Sequence, residues 1–131
     1  MLLVNEVNRL YLGIQGENEC REIQIDCNAW LAGNPNGTIS IWHRRNGDAT
    51  PSATGASLDS ETGILTWVLT GVDTYVSGEG AAEIRLTENG VIKKTRAVIT
   101  GVSPAVTGGG VPLGSDWQSY INEVDRLKSL A

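Results

Sequence analysis

Apolar and polar residues alternate along Arg21–Cys27, with Ile23, Ile25 and Cys27 on one side and Glu22, Gln24 and Asp26 on the other. That two-residue period predicts a half-buried β-strand. The same period runs through Arg9–Ile14, where Leu10, Leu12 and Ile14 share a face. In Thr38–Arg44 it places Ile39 and Ile41 on one face and Trp42 on the other. Ile64–Thr70 is apolar on both faces, Leu65, Trp67 and Leu69 against Ile64 and Val68, as a central sandwich strand would be. Breakers divide these runs: Gly33–Gly37, then Asp59–Gly63, then Thr70–Thr74. Residues 46–57 are polar and rich in Gly, Pro and Ser, which predicts a loop or a weak edge strand.

Asn89-Gly90 between Ala81–Glu88 and Val91–Thr100 predicts a hairpin with a two-residue type I′ turn. That turn pairs Glu88 with Val91, so Ala82, Ile84, Leu86, Thr95, Ala97 and Ile99 should share the inner face. A three-residue loop with a bulge would set Lys94 opposite Ile84 on that face, which argues against it. In the two-residue register Glu83 lies opposite Arg96 as a cross-strand charge pair on the wet side. Six or seven short strands at a spacing of roughly 8–12 residues, with no helix inside the run, predict an antiparallel β-sandwich. It should be Ig-like or jelly-roll-like and occupy residues 1–102. The Cys…Trp…Cys spacing of antibody domains is absent, and there is no internal repeat.

The period then changes. A Gly-rich tether over residues 103–114 leads to Ser115-Asp116-Trp117-Gln118, a capping box that opens a helix over 115–131. Trp117, Tyr120, Val124, Leu127 and Ala131 recur at alternating spacings of three and four, with Ile121 and Leu130 beside them. This a/d seam is too short to be stable alone in water. The expectation is a homo-oligomer formed through residues 115–131, with a fold-back onto the sandwich as the other reading.

Composition narrows the function. A chain of 131 residues with 40% hydrophobic and 19% charged residues has ordinary globular composition and room for one domain. Net charge is −5, and the only basic clusters are His43–Arg45 and Lys93–Arg96, so nucleic acid is not an expected partner. No stretch approaches the length of an apolar membrane span, and the N-terminus lacks the basic region of a signal peptide. Cys20 and Cys27 are expected to be free thiols in a protein made in a reducing cytoplasm.

No catalytic, metal or cofactor constellation emerges. His43 is the single histidine and reads as a solvated strand residue beside two arginines. Cys27 reads as a small core residue. Gly108–Gly110 lacks the Gly-Lys-Ser/Thr of a phosphate loop. Asp59 and Glu61 are too few to define a calcium site. The tryptophans carry more information. Trp67 is placed in the core, while Trp42, off the Ile39/Ile41 face, is the candidate contact for a protein or for cell-surface carbohydrate.

Four segments carry a resemblance to a known family. They are Leu10–Glu17 leading to Arg21–Asp26 and Trp30; Leu65–Thr70 with Asp73-Thr74; Gly78–Leu86 running into Gly90–Thr95; and Asp116–Val124. Together they resemble the N-terminal domain of baseplate or tail proteins of the upper-baseplate type, from phages of Gram-positive bacteria. The resemblance implies an Ig-like sandwich that attaches to other tail or baseplate proteins, followed by a helical segment that bundles copies. It implies a non-enzymatic virion component. The pattern departs from the family's at Ala131, which ends a short helix with no distal receptor-binding part, so the expectation is an accessory tail protein or a fragment.

Overall fold

The computed structural model describes residues 1–105. The tether beyond Ala105 and the expected helix, with Trp117, Tyr120, Ile121, Val124, Leu127 and Ala131, lie outside the described residues. Nine strands and one short helix follow in order: β1 (Leu2–Leu3), β2 (Arg9–Ile14), β3 (Glu22–Asp26), α1 (Asn28–Leu31), β4 (Thr38–Arg44), β5 (Ser52–Ala53), β6 (Ser57–Asp59), β7 (Ile64–Val68), β8 (Gly78–Glu88) and β9 (Val91–Ser103). They form a four-stranded sheet in the order β1-β3-β7-β6 and a five-stranded sheet in the order β2-β9-β8-β4-β5.

One apolar cluster joins the two sheets. Ile23, Ile25, Leu65 and Trp67 from the first meet Leu10, Leu12, Ile39, Ile41, Ala82, Ile84, Leu86, Val98 and Val102 from the second. The described chain is therefore an all-β sandwich, with the inward residues of β3 and β4 those that the alternation predicts, whereas β7, expected to be buried on both faces, buries Leu65 and Trp67 and leaves Val68 42% exposed. Cys27 is fully buried as a small core residue, and burial pushes its thiol pKa up to about 12.

The pairing is not purely antiparallel. β1 runs parallel to β3, and β2 runs parallel to β9. The N-terminal segment edges both sheets in turn, crossing between them over residues 4–8, where Val4 and Val7 are buried. The run also contains α1, a single turn that buries Trp30, whose indole N–H donates to Asn5 Oδ1 at 2.7 Å. Residues 46–57, expected to be a loop or a weak edge strand, contribute β5 at the edge of one sheet and the start of β6 at the edge of the other.

The hairpin turn forms as read, with Asn89 and Gly90 both at positive φ, 55° and 76°. The face of β9 does not. Thr87 pairs with Ile92, but Leu86 pairs with Lys94, so Lys93 is an extra residue in a bulge. One inserted residue moves every following side chain to the other face. Val98, Thr100 and Val102 are buried, and Thr95, Ala97 and Ile99 point outward. The bulge puts two valines into the core, while Lys94 and Thr95 stay exposed on the stretch of β9 before β2 begins to pair with it. Glu83 consequently faces Ala97 rather than Arg96, and its carboxylate meets Arg85 Nε on its own strand.

Candidate docking face and the buried polar link

Register places three rows of side chains on the outer face of the five-stranded sheet. Trp42, Glu83 and Ala97 form one row; Arg44, Ala81, Ile99 and Arg9 the next; Glu79, Gly101 and Tyr11 the third. Ala81, Ala97 and Gly101 are small, and Glu79 and Glu83 stand among them on β8, the central strand of the sheet. Ile99 is 40% exposed there. Trp42 is half-buried, with the Arg85 guanidinium 4.5 Å from its ring centroid. That distance is within cation–π range, so one side of the indole is already occupied.

Gly101 floors a groove of about 440 Å³ between β2, β9 and the start of β8. Tyr11, Val102 and Pro104 line it, as do Arg9 and Glu79, which form an exposed ion pair at 3.7 Å. Tyr11 is held by its hydroxyl, 3.3 Å from Ser103 Oγ, and by the Arg21 guanidinium 5.6 Å from its ring centroid. The loop between β7 and β8, whose end contributes Ser77 to the groove, exposes Val72 and Tyr75, at 71% and 70%.

His43 overturns the expectation of a solvated strand residue: it is 5% exposed. Its parity with Ile39 and Ile41 on β4 turns it inward, the signal that its arginine neighbours obscured. The ring meets Trp67 edge-on at 5.3 Å. Nε2 lies 3.4 Å from Thr100 Oγ1, and Nδ1 lies 3.9 Å from Asp73 Oδ1. Gly80 is confined beside this group, since a Cβ on it would collide with the Arg44 carbonyl oxygen and stand 3.0 Å from Thr100 Oγ1. Asp73 Oδ2 in turn accepts from Trp67 Nε1 at 3.2 Å, Thr70 N at 2.9 Å and Thr70 Oγ1 at 3.1 Å.

Thr100, His43 and Asp73 stand in the order of a catalytic triad, but the resemblance stops at the order. Thr100 is 1% exposed and faces the core, so no substrate reaches its hydroxyl. The group is a polar link: β7 of one sheet and β4 and β9 of the other are tied through Asp73 and His43. Buried polar groups satisfied in this way fix one packing arrangement.

Burial pushes the His43 pKa below its ordinary value, Asp73 opposes that shift, and Arg45 adds to it while Asp48 works against it. The folded chain thus holds a neutral imidazole where the unfolded chain binds a proton near pH 6.5, the ordinary value for histidine. The stability this contributes is present in full above that pH and is lost as the pH falls through it towards the lower folded value. Urea midpoints measured from pH 7.5 to 5.5 should fall for the wild type and stay nearly level for His43→Asn. Parallel slopes in the two proteins would remove His43 as the source.

The remaining sequence candidates have structural roles. Asp59 Oδ1 accepts from Glu61 N at 2.9 Å and Thr62 N at 3.4 Å, so that carboxylate builds a turn. Cys20 is exposed and donates to Glu17 Oε2 at 3.0 Å, which raises its thiol pKa. Among the described residues no three His, Cys, Asp or Glu side chains gather as a metal site.

No protein-family model matches the chain. No curated protein matches it. Among solved structures it is similar to the N-terminal domain of phage TP901-1 ORF48, at 13% identity over 79% of this chain and 99% of that one, with a TM-score of 0.42.

Proposed function

We propose that the chain is a non-enzymatic structural component of a phage tail or baseplate, assembled in the host cytoplasm and carried in the virion. An Ig-like sandwich docks it to other tail proteins, and residues 115–131 join copies of it. The outer face of the five-stranded sheet carries the docking part of this reading. It sets Ala81, Ala97, Ile99 and Gly101 near Trp42, with Glu79 and Glu83 among them on β8 and Arg9 and Arg44 on the flanking strands. A half-buried indole beside such residues is the usual form of an interface anchor.

The strand order supports an Ig-like reading. β3 pairs with β7 in one sheet, and β4, β8 and β9 are neighbours in the other, which matches the B–E and C–F–G pairings of immunoglobulin sandwiches. The family segments fall on framework elements: Leu10–Glu17 makes β2 and its turn, Arg21–Asp26 makes β3, and Leu65–Thr74 makes β7 with the loop carrying Asp73. Carbohydrate binding through Trp42 is the second reading. Arg85 over the indole weighs against it, because a sugar ring would have to displace a cation from the same face.

Light scattering on the full chain at tens of micromolar tests the assembly. The wild type should be oligomeric and Leu127→Asp monomeric, since a charge placed in a buried seam costs several kcal/mol of association, on the order of 3–5. A monomeric wild type overturns self-association. Trp42→Ala should leave the fold intact and weaken capture by purified tail proteins. A saturable polysaccharide-induced change in tryptophan fluorescence that vanishes in Trp42→Ala would replace docking with sugar binding.

A further inference from the structure

Asn-Gly occurs three times in the chain, at Asn36-Gly37, Asn46-Gly47 and Asn89-Gly90. In such a pair the glycine nitrogen can attack the asparagine side chain, because no Cβ on the glycine blocks the approach. The fold treats the three pairs differently. The Gly37 amide donates to Asn34 O at 2.9 Å, and the Asn36 amide donates to Glu88 Oε2 at 3.3 Å. Asn46 Nδ2 donates to Ser77 O at 3.2 Å, and the side chain lies so close to Gly78 that a Cβ there would stand 2.7 Å from Nδ2. Its turn is closed by Asp48 N, which donates to Arg45 O at 3.0 Å, and by the Arg45–Asp48 ion pair at 2.8 Å.

Asn89-Gly90 has no such restraint. Both residues are exposed, and a Cβ on Gly90 would meet nothing within 4 Å. Among the described residues the Gly90 amide donates to no backbone carbonyl, since the turn is closed by the Glu88–Val91 pair on either side of it. The bulge at Lys93 separates this tip from the rest of the ladder, so that only the pairs Glu88–Val91 and Thr87–Ile92 stand beyond it. Val91 and Ile92 are both more than half exposed, so little packing holds the tip shut and local opening is cheap.

We propose that Asn89 is a site of spontaneous covalent modification, the Asn-Gly pair that the fold leaves free to cyclise. The Gly90 amide gives up its proton, its nitrogen bonds to Asn89 Cγ, and the Cγ–Nδ2 bond breaks as Nδ2 takes up a proton and leaves as ammonia. Water then opens the succinimide. Addition at Cγ restores the main chain with an aspartate in place of the asparagine. Addition at the main-chain carbonyl leaves the chain running through Cβ and Cγ, one carbon longer. Asp-Gly accepts the same type I′ turn, but the isoaspartyl form lengthens a two-residue loop whose geometry sets the pairing of Glu88 with Val91. The bulge confines the effect to residues 87–92, since Leu86 pairs with Lys94 on its far side and is fully buried. The modification thus marks the age of the folded protein at one hairpin tip and spares the core.

Peptide mapping by mass spectrometry on the full chain, aged at mildly alkaline pH, tests it. Product should form first at Asn89, about tenfold ahead of Asn36, whose glycine amide must first give up a hydrogen bond. In urea, with the fold removed, the three sites should react at similar rates. Asn89→Gln should abolish the early product, because the longer side chain closes a less favourable ring. Hydrogen exchange on aged protein should quicken over residues 87–92 and stay unchanged at Ile84 and Val98. Product forming first at Asn36 or Asn46, equal rates at all three sites in the folded chain, or an unreactive Asn89 in the folded chain overturns the proposal. Unchanged exchange over residues 87–92 in protein that carries isoaspartate overturns the opening of the tip.

Discussion

Trp67→Ala should lower the unfolding free energy by about 3–5 kcal/mol, the range for emptying an aromatic core site. The indole is wholly buried between the sheets and is among the largest fully buried side chains. Two losses combine. The cavity removes packing against the edge of His43, 5.3 Å away, and Asp73 loses the indole N–H that donates to it. Trp67→Phe separates the two, since it keeps most of the volume and removes only the donor. It should cost less, about 1–3 kcal/mol, for one lost hydrogen bond and a smaller ring, since Thr70 still donates to Asp73. Urea denaturation followed by circular dichroism reads both. A loss below about 1 kcal/mol for Trp67→Ala would mean that the two sheets do not close on this residue.

How far the chain could be read from its sequence depends on which element is considered. β3 and β4 carry clean periods, and Ile23, Ile25, Ile39 and Ile41 are buried where the periods put them, whereas β7 is apolar on both faces and only the Leu65 and Trp67 side is buried. Asn89-Gly90 specifies its turn because few other residues accept two successive positive φ values. The face of β9 was not legible. A bulge at Lys93 shifts the parity of the ten residues that follow it to Ser103, and no residue type marks a bulge of this kind when both alternating sets, Val98/Val102 and Ala97/Ile99, are apolar. Tertiary burial decides between them.

The parallel edges were equally hidden. β1 has two residues, too few for any period, and its pairing depends on β3 being next to it in space. His43 is a different case, because the signal was present. Its place two residues after Ile41 called for burial, and the adjacent Arg44 and Arg45 suggested exposure. Alternation prevailed because Thr100 and Asp73, fifty-seven and thirty residues further on in the chain, supply the polar partners that make a buried imidazole tolerable. Trp42 was placed outward correctly, yet Arg85 over its ring came from the neighbouring strand and could not be read from β4 alone.

Asp73→Ala should destabilise the sandwich by about 3–5 kcal/mol, because several donors lose their acceptor at once, at about 1–3 kcal/mol for each one left buried and unsatisfied. The residue is 7% exposed, and three donors converge on one of its oxygens: Trp67 Nε1, Thr70 N and Thr70 Oγ1. Removing the carboxylate strands the indole N–H inside the core and frees the loop that leads from β7 to β8. Asp73→Asn keeps the shape and one acceptor oxygen, so it should recover part of the loss. A double-mutant cycle of Asp73→Ala with Trp67→Phe measures how much of the cost passes through the indole. A coupling energy of about 1–3 kcal/mol is expected for two groups in direct hydrogen-bonding contact. Strict additivity would mean that Asp73 acts through Thr70 alone, bracing the loop without tying it to the core. In that case the link between the sheets would rest on the contacts His43 makes with Thr100 and Trp67, and His43→Asn would show the larger loss of the two.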